Sequence, residues 1–555
     1  MPFILRRGTA TAALALAGLI TVLPACTTTS ALPSASTRPS GWAAPEVLVK
    51  PSSFAGVHGL AVDKQGRLLA GTVAGNAMWE VNRQTGQARV FIPPPQGQSD
   101  DIAIGPNGEM AWTGFNLGEL FYRENDSAPI RVLAKGLPGI NSIDFDKKTG
   151  QLYASQVFLG DALYEIDREG KKPPRLIKRD MGGFNGFEVG PDGMLYGPLW
   201  FKSQVVKINP ANGDMTTIAD GFAIPAAANL DGKGNLWVLD TRRGELVRVE
   251  LATGRKTVAT KLKTSLDNLA IAPDGTIYVS NMADNSVQAF NPATGELRTL
   301  TSGATALPTG MKAEGDRLWV ADVFAFREVD LKTGAVSDIF RAWGEGELEY
   351  PLAVGMSATR FALASFATNS VQLVDRASRK TLAMGHGFKV PLDAVPMDDG
   401  SVLVLELGSG SIVRASGAKL AERETIASGI KLPVQMILGR DGQLYVTDLG
   451  GSLLRVPAKG GTPVTVAQGL NQPEGLTQTP WGSFIVAEVG ARRLVEINPA
   501  DGSRSTVAEN LPIGAPSLPG MPPAASPTGV AMGGDGSVYF SSDTNNGIYR
   551  IRPQN

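Results

Sequence analysis

Between residues 185 and 209 the chain reads NGFEVGPDGMLYGPLWFKSQVVKIN, with apolar and polar or small positions alternating in short runs. Period-two alternation interrupted by turn residues predicts half-buried strands rather than helices. Pro191-Asp192-Gly193 turns the first strand (185–189) into a second (194–199), and a loop leads to a third (203–209). Asn212-Gly213 then turns the chain into a fourth strand, 215–219.

The same phrase recurs from end to end. Its copies open at His58, Asp100, Asn141, Asn185, Ala226, Asp267, Thr309, Leu352, Leu392, Val434, Glu474 and Thr528. Twelve copies of four strands, spaced by roughly 40 to 44 residues apart from a longer last gap, are the signature of β-propeller blades. The expected fold is all-β: two tandem six-bladed β-propellers. A seven-plus-five division is the main rival, since a single twelve-bladed ring would leave a very wide central hole.

The last copy ends at 549–552 without a fourth strand, while 46–50 (EVLVK) is a spare strand ahead of the first copy. Closing a ring removes an open sheet edge, so EVLVK is expected to complete the sixth blade. Residues 297–301 (LRTLT) would then open the second ring and complete blade twelve, giving propellers over 45–296 and 297–555. Two insertions, 342–350 (AWGEGELEY) and 510–526 (NLPIGAPSLPGMPPAAS), each join a fourth strand to the next first strand. That places both on the face where propellers bind ligands.

Composition and charge add the surroundings. Arg6 and Arg7 precede an apolar stretch (9–23), and Leu23-Pro24-Ala25-Cys26 resembles a bacterial lipobox. Cys26, the only cysteine, is the expected lipidation site. Residues 1–26 then read as a lipoprotein signal peptide and 27–44 as a flexible tether of at most about 60 Å. Thr27, where an Asp would retain the protein at the inner membrane, resembles the outer-membrane sorting pattern. The expectation is an outer-membrane lipoprotein of the bacterial envelope with its body in the periplasm. A net charge of −1 and a pI of about 6.3 leave no electrostatic footprint for nucleic acid. No apolar run after residue 26 is long enough to span a bilayer, so membrane contact is expected through the lipid alone.

In this register the first residue of each copy faces the mouth of the central channel. A residue type repeated in many blades serves the scaffold, whereas one that changes from blade to blade is a candidate for a ligand. The second strands end at Asp240, Asn281, Asp322, Glu406, Asp448 and Glu488, a recurrence that reads as loop-capping acceptors. The first mouth varies: His58, Asp100, Asn141, Asn185, Ala226 and Asp267. Two carboxylates, two amides and an imidazole suit one divalent cation (Ca, Mg or Zn) or a polyhydroxylated ligand. His58 and Asp267 are the candidate catalytic residues, and Asp100 and Asn141 candidate ligand contacts. The second mouth is poorer, with Glu474 its one charge and a further candidate ligand contact. There is no H-E-x-x-H, G-x-S-x-G, Walker loop or dinucleotide fingerprint, and two histidines exclude a His-rich metal site.

Residues 184–196 (FNGFEVGPDGMLY) resemble the Asn-Gly segment of the senescence-marker/gluconolactonase/luciferin-regenerating propellers, and 230–254 resemble the blade after it. The resemblance covers about the first 300 residues, the remainder being similar to NHL-type repeats. It implies that Asn185 is a ligand of a single divalent metal and that Asn141 contacts substrate; Asp267 would join Asn185 as a metal ligand in a re-formed site. The family's acidic ligand and base opens the blade after Asn185, where this chain has Pro225-Ala226-Ala227-Ala228, so the family's general base for lactone hydrolysis is missing. The His at the mouth is also similar to virginiamycin B lyase-like propellers, without their His and Glu spacing.

Two functions are expected from these residues. The leading one is a lipid-anchored extracytoplasmic protein that binds a small polar ligand or an envelope protein partner at its propeller mouths. The alternative is a divalent-metal-dependent hydrolase of the lactonase type, or a virginiamycin B lyase-like enzyme, using the first ring. A purely structural envelope protein is the third reading.

Overall fold

The computed structural model describes residues 38–517 and 521–554. Cys26, the signal segment and most of the tether lie outside the described residues. Twelve four-stranded antiparallel sheets account for the twelve repeats. Eleven are built from four consecutive strands, as in blade four: Glu188–Val189, Leu195–Leu199, Gln204–Ile208 and Met215–Ala219. Helical structure among the described residues amounts to two three-residue 3-10 turns.

The rings close after six blades each. The first strand of blade one, Val57–Val62, packs against that of blade six, Leu266–Ile271, and Leu60, Leu68 and Val81 share a core with Ala270, Tyr278 and Val287. In the second ring Pro308–Glu314 of blade seven packs against Val530–Met532 of blade twelve. Between neighbouring blades the inward side chains of both sheets interleave, so each ring is a circle of small sheet-on-sheet cores.

The expected exchange of strands between the rings does not occur. Glu46–Val49 pairs with Ile548–Ile551 and completes blade twelve rather than blade six. Leu297–Thr301 stays in blade six, paired with Ser286–Phe290. The reason is local. Blade six already owns a fourth strand, so the open edge left by the sequence is the third strand of blade twelve. Val49 fills the core between blades seven and twelve, and Glu46 pairs with Arg550 and, at 2.8 Å, with Arg552. Gly41–Trp42 and Pro553–Gln554 extend this closure as a two-stranded clasp. From Gly41 onward the chain therefore runs through the second ring, builds the first, and returns.

The outgoing and returning segments are tied together at the joint. Ser52 Oγ donates to the Thr305 carbonyl (3.0 Å), Asn285 Nδ2 to the Ala306 carbonyl (3.0 Å), and Asn546 Nδ2 to the Ser52 carbonyl (3.0 Å). Asn285 belongs to blade six and Asn546 to blade twelve, so each ring contributes one amide to the knot.

The recurring acids at second-strand ends are scaffold. Asp240, Asp322, Glu406, Asp448 and Glu488 accept N–H groups of the loops entering their own blades, from Ala223, Ala306, Lys389, Lys431 and Asn471. Asn281 instead donates to the Thr264 carbonyl (2.9 Å).

Candidate functional site: the roofed mouth of the first propeller

A β-bulge aims the mouth residues. Pairing of first and second strands shifts register between Val57 and Leu60, Ile140 and Ser142, Pro225 and Ala227, and Leu266 and Leu269. A bulge leaves its extra residue unpaired and turns its side chain away from the ladder. His58, Asn141, Ala226 and Asp267 occupy these bulges. In blade four Gly186 does similar work at φ 40°; a Cβ there would stand 2.5 Å from Ala227, so glycine is what lets blades four and five approach.

Three of the predicted residues converge. His58 Nδ1 lies 3.1 Å from Asp100 Oδ1 and 3.2 Å from Asp267 Oδ2. His58 and Asp100 are buried, and the Asp267 side chain is only 15% exposed. Neither carboxylate lies in line for a hydrogen bond to Nδ1, and Nε2 is buried without a partner. One N–H can point at one acceptor, so a nitrogen straddled by two carboxylates is held by charge rather than direction. Burial alone would pull the imidazole down, but the charge of Asp267 and the Asp100 carboxylate outweigh it and lift His58 to about 10. Burial pushes Asp100 up to about 6.

The same three side chains could hold a cation, since one ligand atom of each lies within 4.8 Å of the others. Bonds of about 2.0–2.2 Å around one ion place neighbouring ligand atoms roughly 3.0–3.5 Å apart. Among the described residues this is the one group of three His, Cys, Asp or Glu side chains close enough to share a metal. One imidazole and two carboxylates suit a borderline ion such as zinc better than calcium, which takes a larger all-oxygen shell.

Asn141 and Asn185 sit on the neighbouring blades and are joined to each other. Ser142 Oγ is 2.8 Å from Asn141 Oδ1 and 3.0 Å from Asn185 Oδ1, and accepts the Gly186 N–H at 2.7 Å. The single Ser142 hydroxyl hydrogen serves one amide oxygen at a time, so the two asparagines are tied to each other through it. Beneath the mouth, acids latch one blade to the next. Asp101 accepts the Ile143 N–H (3.1 Å) and Asn268 Nδ2 (2.9 Å), Asp144 the Val189 N–H (2.8 Å), and Glu188 the Leu230 N–H (2.6 Å). Burial raises Asp101 well above the usual carboxylate range and Glu188 to about 7.

Blade seven of the second ring roofs this mouth. The Phe324 ring meets His58 edge-on at 5.8 Å, and a Cβ on Gly56 would stand 2.2 Å from that ring. Tyr350 meets Phe324 at 5.8 Å, and Trp343 meets Tyr350 at 5.8 Å, with its Nε1–H donating to the Tyr350 oxygen at 3.1 Å. Trp343 in turn packs on Trp200, Ile224 and Ala226. Burial first, then the charges of Asp267 and Asp100, push the Tyr350 phenol up, so it stays protonated. Buried ion pairs hold the roof in place: Arg341 Nη1 lies 2.8 Å from Asp284 and 2.7 Å from Asp338, and Arg341 Nη2 donates to the Thr264 carbonyl at 2.9 Å. The insertion 342–350 thus lies over a propeller mouth, but that of the other ring. Phe324, Trp343 and Tyr350 were not legible as site residues, because nothing local marks a contact with residues more than a hundred positions earlier.

At the second mouth Leu352, Leu392 and Val434 are buried beside Thr309 and Thr528. Glu474 is buried there, accepts the Thr528 N–H at 2.7 Å, and is pushed by burial to about 8.

No protein-family model and no curated protein matches the chain. Among solved structures the chain is similar to a streptogramin B lyase and to the selenomethionine-substituted virginiamycin B lyase from Staphylococcus aureus. Each is 14% identical at a TM-score of 0.25 over 59% of this chain, covering 93% and 94% of those chains respectively. At that level the likeness carries no argument about this chain. The class defined by fold and site is a tandem β-propeller in which one ring roofs the mouth of the other.

Proposed function

We propose that the first propeller binds one divalent cation through His58, Asp100 and Asp267 and, beside it, a small ligand reached by the NH2 groups of Asn141 and Asn185. The observation that carries this reading is His58 Nδ1 standing between two carboxylates, in line with neither. The chain would work as an extracytoplasmic ligand-binding protein anchored through Cys26, a reading supported by the lipobox-like segment and the absence of further cysteines. The second mouth, with Glu474 its one charge, would serve a protein partner.

A hydrolytic or lyase activity is the second reading. It is favoured by the count of protein ligands: three leave positions open, as catalytic sites require. A cation bound there would supply Lewis acidity toward a carbonyl oxygen. Elemental analysis and equilibrium dialysis of the chain purified without its signal segment test both readings. About one equivalent of zinc or manganese is expected, with at least a tenfold weaker affinity in Asp267→Asn. Unchanged affinity in that variant refutes the assignment.

A further inference from the structure

The loop over the first mouth is built under strain. Trp343, Glu347 and Tyr350 all adopt left-handed backbone conformations (φ 61°, 57° and 42°), which cost a non-glycine residue energy and persist only where surrounding contacts impose them. Two of the three are the residues that face the other ring. Gln372 Nε2 holds the loop by donating to the Gly346 carbonyl (2.8 Å), and His386 Nε2 meets Glu349 at 3.0 Å. The second ring therefore fixes Trp343 and Tyr350 from behind.

Tyr350 stands between two anchors. On one side Phe324 touches His58; on the other Trp343 rests on Ala226 and Trp200. A residue bridging these two must lie over the mouth. Its oxygen accepts the Trp343 N–H, and its own O–H has no acceptor among the described residues. A phenol protonated at neutral pH then has a donor to spare, and a hydroxyl rotates to suit the acceptor it meets.

We propose that the site is a composite of both propellers, in which Tyr350 donates its O–H to a carbonyl or carboxylate oxygen of the ligand held at the first mouth. This rests on the cation reading above. Phe158, Trp200 and Trp343 form an aromatic wall beside the mouth, with ring centroids 5.1–5.9 Å apart, and Phe158 is 40% exposed. The ligand class is thus a small molecule with an oxyanion or carbonyl head and an apolar body. Its head is bound by the cation, the Asn141 and Asn185 amides and Tyr350, and its body by the aromatic wall.

The probe is acetohydroxamate, a chelating oxyanion, added to the Co²⁺-loaded chain. Cobalt absorption reports its binding, and near-ultraviolet difference absorption reports tyrosine hydrogen bonding. Tyr350→Phe keeps the ring packing and removes only the hydroxyl. The expected result is unchanged Co²⁺ affinity, about tenfold weaker acetohydroxamate binding, and loss of a tyrosine difference band that the unsubstituted protein shows. A purely structural tyrosine would not give that band. Equal acetohydroxamate affinity and the same difference spectrum in Tyr350→Phe overturn the composite site while the cation reading stands. If the unsubstituted chain takes up no Co²⁺, both fail.

Discussion

Trp343 of the second propeller packs against Ala226 of the first, the one mouth position of that ring without a polar side chain. The two features explain each other. A carboxylate at 226 would be buried beneath an indole, and burying an unpaired charge is costly, so alanine accompanies the roof. The mouth's carboxylates stand elsewhere on the ring: Asp100 and Asp267 flank His58 on the blades either side of it.

This pairing is testable by a double-mutant cycle. Ala226→Asp and Trp343→Ala should each destabilise the chain, by about 3 kcal/mol apiece. Combined, they should cost at least 1 kcal/mol less than the sum, because the new carboxylate gains access to water. Chemical denaturation reads both terms, and strict additivity would separate the two positions.

The strand pairing predicts unequal independence of the rings. Residues 51–302 should fold alone, since all four strands of blades one to six lie within them. Residues 303–555 should not, because blade twelve then lacks Glu46–Val49. Adding 39–50 as a peptide should restore cooperative melting of the second fragment. If 303–555 melts cooperatively alone, the closing strand is dispensable.

Arg341 joins the rings through Asp284 and the Thr264 carbonyl, while Asp338 of its own strand braces it from the same side. Removing one partner of a buried pair strands the others, at about 3–5 kcal/mol. Arg341→Met should therefore lower stability by roughly that amount and split the thermal transition into two, visible by calorimetry. A single transition at an unchanged temperature would show that the joint rests on the Asn285 and Asn546 knot instead.

Glu474 gives stability a pH slope. Folded, it keeps its proton to about 8, against 4.5 for the free side chain. The folded value is the higher one, so stability is greatest below about pH 4.5, falls as pH rises, and levels off above about 8. The slope approaches ~1.4 kcal/mol per pH unit at most. Glu474→Gln keeps an acceptor for the Thr528 N–H and should flatten the curve, melting above the unsubstituted protein at pH 9 and with it at pH 4. Parallel curves would place the proton elsewhere.

The blades were legible because each rests on local signals: alternation, the Pro-Asp-Gly turn and the Asn-Gly turn. The mouth residues followed from the register, and His58, Asp100 and Asp267 do meet. What failed was non-local. EVLVK fits either ring as a strand, and only competition with the resident Leu297–Thr301 decides its place. Asn185, singled out on its own segment, turned out to be tied through Ser142 to Asn141, a contact that depends on how two blades approach. The roof depends on how two rings meet, which no single repeat encodes.

As proposed above, His58 would be a cation ligand rather than a permanent imidazolium. The chain holds two histidines, so selective ¹⁵N labelling yields two imidazoles, and His386 serves as an internal control. Zinc should shift the His58 Nδ1 resonance to a metal-bound position at one equivalent, release its proton, and leave His386 unmoved. A His58 that stays doubly protonated at saturating zinc would contradict the account.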